Sequence, residues 1–353
     1  MNAHQRQAAV TAAHGQALVF RPLRLRPPRV NEVRVRLVAC GICHTDLSCC
    51  AGAMAGAILG HEGAGIVERV GKQVRSVQPG DAVVLSYQSC GQCAACRQQR
   101  PAHCENFWQL NFDFQRLDGS SGYYPPLHGH FFGQSAFATH ALVTERNLVK
   151  VAPDLPLEVI APLGCGLQTG AGTIINSLNL QASENVLILG AGTVGLAAIM
   201  AAAIRQAGNI AAVDLLPQRL QLAAELGATA TLAGDDPALP AALTALGVAW
   251  DYVVDTTGSR MLDEMGQQVL RPGGTLVRLT GGGGMQLSEG RRIISVIQGD
   301  AIPQRFIPYL IAQWQKGCFP FDRLITYYPF HAINQALAAA KSGEAIKAVL
   351  RFT

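Results

Sequence analysis

Hydrophobic and polar positions change rhythm near the middle of the chain. Before about residue 150 the apolar runs are short, as in Val33 to Val38 and Ala82 to Leu85, and turns such as Pro79-Gly80-Asp81 separate them. Short runs bounded by glycine and proline predict strands, so this half reads as mostly β. After about Pro162 the chain repeats strand, glycine turn and Ala/Leu-rich helix. Val186 to Leu189 precedes a helix over Leu196 to Ala207, Ile210 to Asp214 precedes Arg219 to Leu226, and further strands fall at Tyr252 to Asp255 and Thr275 to Leu279. Alternating units of this kind predict a parallel, doubly wound sheet. Towards the end a helix is predicted over His331 to Ser342, stopped by Gly343, and the apolar tail Ala348 to Phe352 reads as a strand that returns to the first domain. Gly281 to Gly284 reads either as a flexible loop or as backbone in close approach to a ligand.

Composition narrows this picture. A chain of 353 residues exceeds what one hydrophobic core supports, which predicts two domains. Charged residues make up 15% and hydrophobic ones 49%, a balance that excludes disorder. The formal charge of +4 is dispersed, with only short groups such as Arg21 to Arg29 and Arg291-Arg292, so no nucleic-acid partner is expected. No apolar run approaches the roughly 20 residues that span a bilayer, and Met1 to Val10 lacks the apolar core of a secretory signal. The expectation is a cytoplasmic protein without a membrane partner. In that compartment ten cysteines point to metal ligation before disulfides.

The segment Asn185-Val-Leu-Ile-Leu-Gly190-Ala-Gly192-Thr-Val-Gly195 sets GxGxxG after a buried-type strand and before a helix. Gly190 permits a tight turn, Gly192 lets a pyrophosphate approach the backbone, and Gly195 allows close packing of helix on strand. Asp214 ends the second strand about 20 residues past the last glycine, where a carboxylate accepts from ribose hydroxyls and repels a 2′-phosphate. Leu215 follows it and no arginine is adjacent, so the pattern favours NAD over NADP.

Cys90-Gly-Gln-Cys93-Ala-Ala-Cys96 and Cys104 place four thiols in one short loop, able to close around zinc with no position left for substrate. His103 competes for the last place on paper. A dispersed set, Cys43, His61 and Cys165, offers two thiolates and one imidazole and leaves a fourth zinc position open. Spacing alone leaves that set equal to a scatter of buried cysteines.

Taken together and in order, these segments resemble the zinc-containing medium-chain alcohol dehydrogenase family from about Val33 to the C-terminus. Gly164-Cys-Gly-Leu-Gln-Thr-Gly-Ala-Gly172, followed by Ile174-Ile-Asn-Ser-Leu178, resembles the aryl-alcohol (benzyl-alcohol) dehydrogenase branch. The resemblance implies an α/β protein: a mostly-β GroES-like catalytic domain over 1–154 and 299–353, and a Rossmann domain over 155–298. It implies two zinc ions, a catalytic one on Cys43, His61 and Cys165 and a structural one on Cys90, Cys93, Cys96 and Cys104. Thr45 would take the proton released by the alcohol, and Asp46 and Glu62 would orient the histidine and tune the metal. His44, Thr169, Gly190, Gly192, Thr193, Val194, Gly195, Asp214, Arg219, Gly258 and Lys347 would hold NAD. The implied activity is oxidation of a primary alcohol, an aryl alcohol such as benzyl alcohol, to its aldehyde and the reverse, by a homodimer or homotetramer. An aliphatic alcohol dehydrogenase is the alternative.

This chain departs from the family at Ser48, where a histidine commonly completes proton release, and in the short stretch Ser48 to Ile58, which lacks bulky side chains. Cys49 and Cys50 fall beside the active site and read as inert small side chains before alternative ligands. Tyr87, Phe107, Trp108 and Met54 are candidate walls for a ring substrate, with ordinary core packing equally open. A metal-free quinone or enone reductase would have no need of Cys43, His61 and Cys165 together. A nucleic-acid-binding zinc module would need a basic stripe that is missing.

Overall fold

Alternating burial builds the first sheet. The computed structural model describes residues 6–12, 17–280 and 289–352, so the glycine run 281–284 lies outside the described residues. A ribbon of β1 (Gln7–Val10) against antiparallel β2 (Val19–Pro22) precedes the main sheet of seven strands. Its centre is β3 (Glu32–Gly41), which buries Val33, Val35, Leu37 and Ala39, every second residue, as a pleated strand must. Along one side β3 pairs antiparallel with β4 (Glu62–Val70), which pairs in turn with β5 (Ala82–Leu85) and through it β7 (Leu148–Lys150). The other side of β3 is shared by β6 (His140–Thr144) at its start and β15 (Lys347–Arg351) at its end. β14 (Ile325–Pro329) closes the edge beside β15. The tail therefore returns to the first sheet, and the helix before it, Ile333–Ser342, stops at Gly343 with φ 83°, a left-handed cap that favours glycine.

The second sheet is parallel throughout. Its strands are β8 (Val186–Leu189), β9 (Ile210–Asp214), β10 (Ala230–Ala233), β11 (Trp250–Asp255), β12 (Leu270–Arg278) and β13 (Arg292–Ser295). They lie in the order β10-β9-β8-β11-β12-β13. This is the doubly wound nucleotide-binding order, with its topological switch between β8 and β11. Both faces of the central strands are covered, so Leu187, Leu189, Val213, Val253 and Leu276 are buried in one core with Trp250. The helix Thr193–Ile204 buries eight of its residues, Gly195 to Ala202.

The chain divides into two compact units, Met1–Cys165 with Ile302–Ile311 and Asp322–Thr353, and Gly166–Ala301 with Ala312–Phe321. The first unit runs past residue 154 to Cys165, which puts all three dispersed zinc-ligand candidates in one unit. Among the described residues no helix is long and apolar enough to cross a membrane.

Candidate functional site

One carboxylate joins two of the dispersed ligands. Cys43 caps the helix His44–Gly52, and its backbone N–H donates to Asp46 Oδ2 at 3.0 Å. The other oxygen of Asp46 accepts from the Gly60 N–H at 3.0 Å and lies 2.9 Å from His61 Nδ1. With Nδ1 donating to Asp46, the lone pair of His61 is on Nε2, which is buried and has no hydrogen-bond partner. An orphaned buried nitrogen is costly unless an ion uses it. Around it, ligand atoms of Cys43, His61, Glu62 and Cys165 all lie within 4.8 Å of one another. The Cys165 sulfur beside it, helped by His61, holds the Cys43 thiol well below its ordinary pKa in spite of burial. Two thiols, one imidazole and this spacing fit zinc with a position to spare. Asp46→Asn removes the charge that fixes the histidine. It is expected to weaken zinc retention or kcat by about 10- to 100-fold, measured by metal loss to a chelator and by steady-state rates; wild-type values in both would refute the role.

The two neighbouring carboxylates take separate parts. Orientation of the imidazole falls to Asp46, while the Glu62 carboxylate accepts from Lys347 Nζ at 3.0 and 2.9 Å. Lys347, which the family resemblance sets among the NAD-binding residues, is 2% exposed and also donates to the Ile42 carbonyl at 3.0 Å. Burial pushes the Lys347 ammonium down, but Glu62 beside it more than restores the charge. The sheet explains the pairing: β15 runs beside the end of β3, with Val349 opposite Gly41, and β4 flanks β3 with Glu62 opposite Gly41 as well. Thr45 Oγ1 stands 3.7 Å from Cys43 Sγ, half-buried, while His44 and Ser48 are exposed. Burial, with Asp46 and Cys43, raises the Cys49 thiol to about 11.

The four-thiol loop is closed. Sγ of Cys90 lies 3.9 Å from that of Cys96, and Sγ of Cys93 lies 3.9 Å from that of Cys104. A tetrahedron with Zn–S near 2.3 Å separates its sulfurs by about 3.8 Å. Backbone N–H groups already point at these sulfurs, from Cys93 to Cys90 at 3.3 Å, Cys96 to Cys93 at 3.5 Å and Cys90 to Cys104 at 3.2 Å. Burial opposes ionisation of Cys90, yet the Gln92 and Cys93 amides bring it down to about 6. His103 is outside the set, which the four thiols complete.

Of the side chains proposed as walls, Trp108 and Met54 are 64% and 48% exposed, and Tyr87 and Phe107 are buried with ring centroids 5.7 Å apart. The rings that touch His61 are Phe132, stacked at 4.3 Å and 21°, and Phe131, edge-on at 5.6 Å. Sequence reasoning missed both; their signal was an adjacent Phe pair ahead of Gly133. Trp108 and Phe112, one turn apart on the helix Phe107–Phe112, extend the cluster through Phe112 to Phe132 at 5.0 Å.

In the second unit the glycine turn sits at the carboxyl end of β8. Gly190 has φ 94°, and a Cβ on Gly195 would meet the Gly190 carbonyl oxygen at 1.8 Å, whereas a Cβ on Gly192 would meet no protein atom within 4 Å. Open space at Gly192, at the start of a helix whose next residues are Thr193 and Val194, is a cradle for a phosphate. Asp214 closes β9, its Oδ2 accepting from Ala191 N–H at 2.7 Å, with Arg219 Nη1 at 3.9 Å. Gly258, φ 68°, turns the chain after β11, and Thr169 is half-buried on the helix Gly166–Gly172, which a Cβ on Gly170 would drive into the Val194 carbonyl.

A nucleotide-binding sheet in one chain with a closed thiolate cluster and an open one of thiol and imidazole defines a zinc-dependent dehydrogenase. Residues 29–154 match the Alcohol dehydrogenase GroES-like domain and residues 193–298 the Zinc-binding dehydrogenase family. Geraniol dehydrogenase of Castellaniella defragrans is 42% identical, over 98% of this chain and 97% of its own. The crystal structure of an alcohol dehydrogenase zinc-binding domain protein from Burkholderia ambifaria, 42% identical, superposes with a TM-score of 0.94 over 99% of both chains. That of benzyl alcohol dehydrogenase from Acinetobacter calcoaceticus, 37% identical, gives a TM-score of 0.94 over 99% of both. The chain belongs to the zinc-dependent medium-chain alcohol dehydrogenase family, whose cofactors are zinc and NAD.

Proposed function

We propose that this alcohol dehydrogenase acts on primary alcohols whose carbinol carbon adjoins a π system, aryl alcohols such as benzyl alcohol first among them, and interconverts them with their aldehydes. The observation that carries the reading is the aromatic cluster on the catalytic histidine: Phe132 flat on His61 and Phe131 at its edge, backed by Phe112. Flat apolar groups gain most from such a surface. The similarity to a benzyl alcohol dehydrogenase supports it, and that to a geraniol dehydrogenase extends it to allylic alcohols.

Zinc at Cys43, His61 and Cys165 supplies a Lewis acid that lowers the pKa of the alcohol hydroxyl, and NAD supplies the hydride acceptor. The chain's own part is to hold and to move the proton. Asp46 keeps His61 in the tautomer that frees Nε2, and Thr45 Oγ1 takes the released proton. With serine at position 48 the relay is shortened at Thr45, and exposed His44 meets the cofactor pyrophosphate. Gly190, Gly192, Thr193, Val194 and Gly195 seat the pyrophosphate, Asp214 and Arg219 the adenosine ribose, and Thr169 and Gly258 flank the nicotinamide half. A homo-oligomer, dimer or tetramer, acting in the cytoplasm, is part of the same reading.

Comparison of kcat/KM for benzyl alcohol, geraniol and ethanol at saturating NAD tests the substrate. Benzyl alcohol is expected to exceed ethanol by about 100-fold or more, the worth of burying a ring in place of a methyl group. A ratio at or below about one would turn the assignment to an aliphatic alcohol dehydrogenase, and geraniol outrunning benzyl alcohol by more than about tenfold would turn it to an allylic one.

A further inference from the structure

Four residues of the strap 130–135, namely His130, Phe132, Gly133 and Ser135, have left-handed backbone, with φ of 75°, 51°, 63° and 52°. Non-glycine residues take this conformation only where their surroundings impose it, at a cost of about 1–3 kcal/mol each. The fixings are visible. Gly122 N–H donates to His130 Nε2 at 2.9 Å, Ser135 Oγ donates to the Ile58 carbonyl at 2.6 Å, and Asn147 Nδ2 donates to the Phe132 carbonyl at 3.2 Å. Two side chains are delivered to the zinc-ligand segment as a result. One is the Phe132 ring on His61. The other is Gln134, fully buried, whose Nε2 donates to the carbonyls of His61 at 2.8 Å and Ser86 at 3.3 Å while its Oε1 accepts from Gly63 N–H at 3.2 Å.

Asp46 fixes Nδ1 and Phe132 fixes the ring plane, so the backbone from which the imidazole hangs is fixed by Gln134, on both sides of Glu62. We infer that Gln134 is a positioning residue for His61: its amide sets the depth at which Nε2 meets the metal and thereby the lifetime of catalytic zinc. The inference rests on zinc at Cys43, His61 and Cys165, and not on which alcohol is the substrate. Buried donors and acceptors on the backbone of a ligand segment are costly to leave unmade, so loss of this amide is felt at the ligand itself.

The test uses the whole zinc-loaded enzyme exposed to a chelator and iodoacetamide together, with alkylation of each cysteine followed by mass spectrometry. In Gln134→Leu, Cys43 and Cys165 are expected to label at least about tenfold faster than in wild type, with Cys90, Cys93, Cys96 and Cys104 unchanged. Gln134→Met, of similar volume and without a donor, is expected to label in the same pattern. Wild-type rates in Gln134→Leu, or equal acceleration at all the ligand cysteines, overturn the inference. Should the leucine variant not fold, wild-type rates in Gln134→Met overturn it instead. Cys43 and Cys165 labelling that ignores the chelator in wild type removes the zinc reading, and the inference with it.

Discussion

Cys165→Ala is expected to leave a folded protein that holds one zinc ion where the wild type holds two, with kcat lowered by at least about a thousandfold. Cys165 lies at the end of the buried turn Ala161–Gly164, at φ −144° and ψ −89°, a backbone that alanine bears no worse than cysteine because both carry a Cβ. What disappears is one of two thiols in an open cluster, and with it the Lewis acid that would lower the pKa of a bound hydroxyl towards neutrality. The closed cluster predicts the opposite division. Cys96 is one of four thiols held by backbone amides in a loop with little hydrophobic core of its own, and structural zinc contributes folding energy directly. Cys96→Ala is expected to cost about 3 kcal/mol or more and to lower Tm by about 10 °C, with less effect on the kcat of the surviving folded fraction. Metal analysis, melting curves and rates on the two variants decide it. Equal loss of folding in both would contradict the separation into a catalytic and a structural ion.

Local chemistry was legible in the chain; contacts that depend on the return of distant strands were not. The glycine turn and Asp214 could be read because each follows its strand directly, and their separation is fixed by one helix. The four-cysteine loop could be read because closing it needs only a short stretch of backbone. Cys43, His61 and Cys165 are far apart in sequence, and only family resemblance joined them before the sheet of β3 and β4 brought Cys43 and His61 together. Resemblance set Lys347 among the cofactor residues without showing its partner inside the protein. Its burial on Glu62 follows from the antiparallel pairing of β15 with β3, which apolar alternation in the tail suggests without fixing the register. Phe131, Phe132 and Gln134 were invisible for another reason: their direction is set by left-handed residues in an irregular strap, where neither helical nor strand periodicity applies. Strands β10 and β13 were missed because, as sheet edges, they carry no fully buried residue to mark them.

Asp214→Gly is expected to lower kcat/KM for NAD by about 10- to 100-fold, the worth of one or two hydrogen bonds to a charged acceptor, and to shift the NAD-to-NADP preference by at least about 100-fold. The carboxylate serves two partners of the protein as well as the ribose. Its Oδ2 accepts from Ala191 N–H inside the glycine turn at 2.7 Å, and its Oδ1 accepts from Leu216 N–H at 2.9 Å. Its removal therefore loosens the turn that seats the pyrophosphate, which lowers the rate with either nucleotide. Discrimination changes for a different reason. With Asp214 present, a 2′-phosphate meets a fixed negative charge; with glycine there, Arg219, 3.9 Å from the lost carboxylate, is left as a counter-charge for that phosphate. The gain with NADP thus depends on Arg219, and Asp214→Gly combined with Arg219→Ala should forfeit it. Steady-state kcat/KM for both nucleotides across wild type and the two variants measures each part. A wild type that uses NADP as well as NAD, or a ratio within about threefold of wild type in Asp214→Gly, would show that this carboxylate does not set the choice of cofactor.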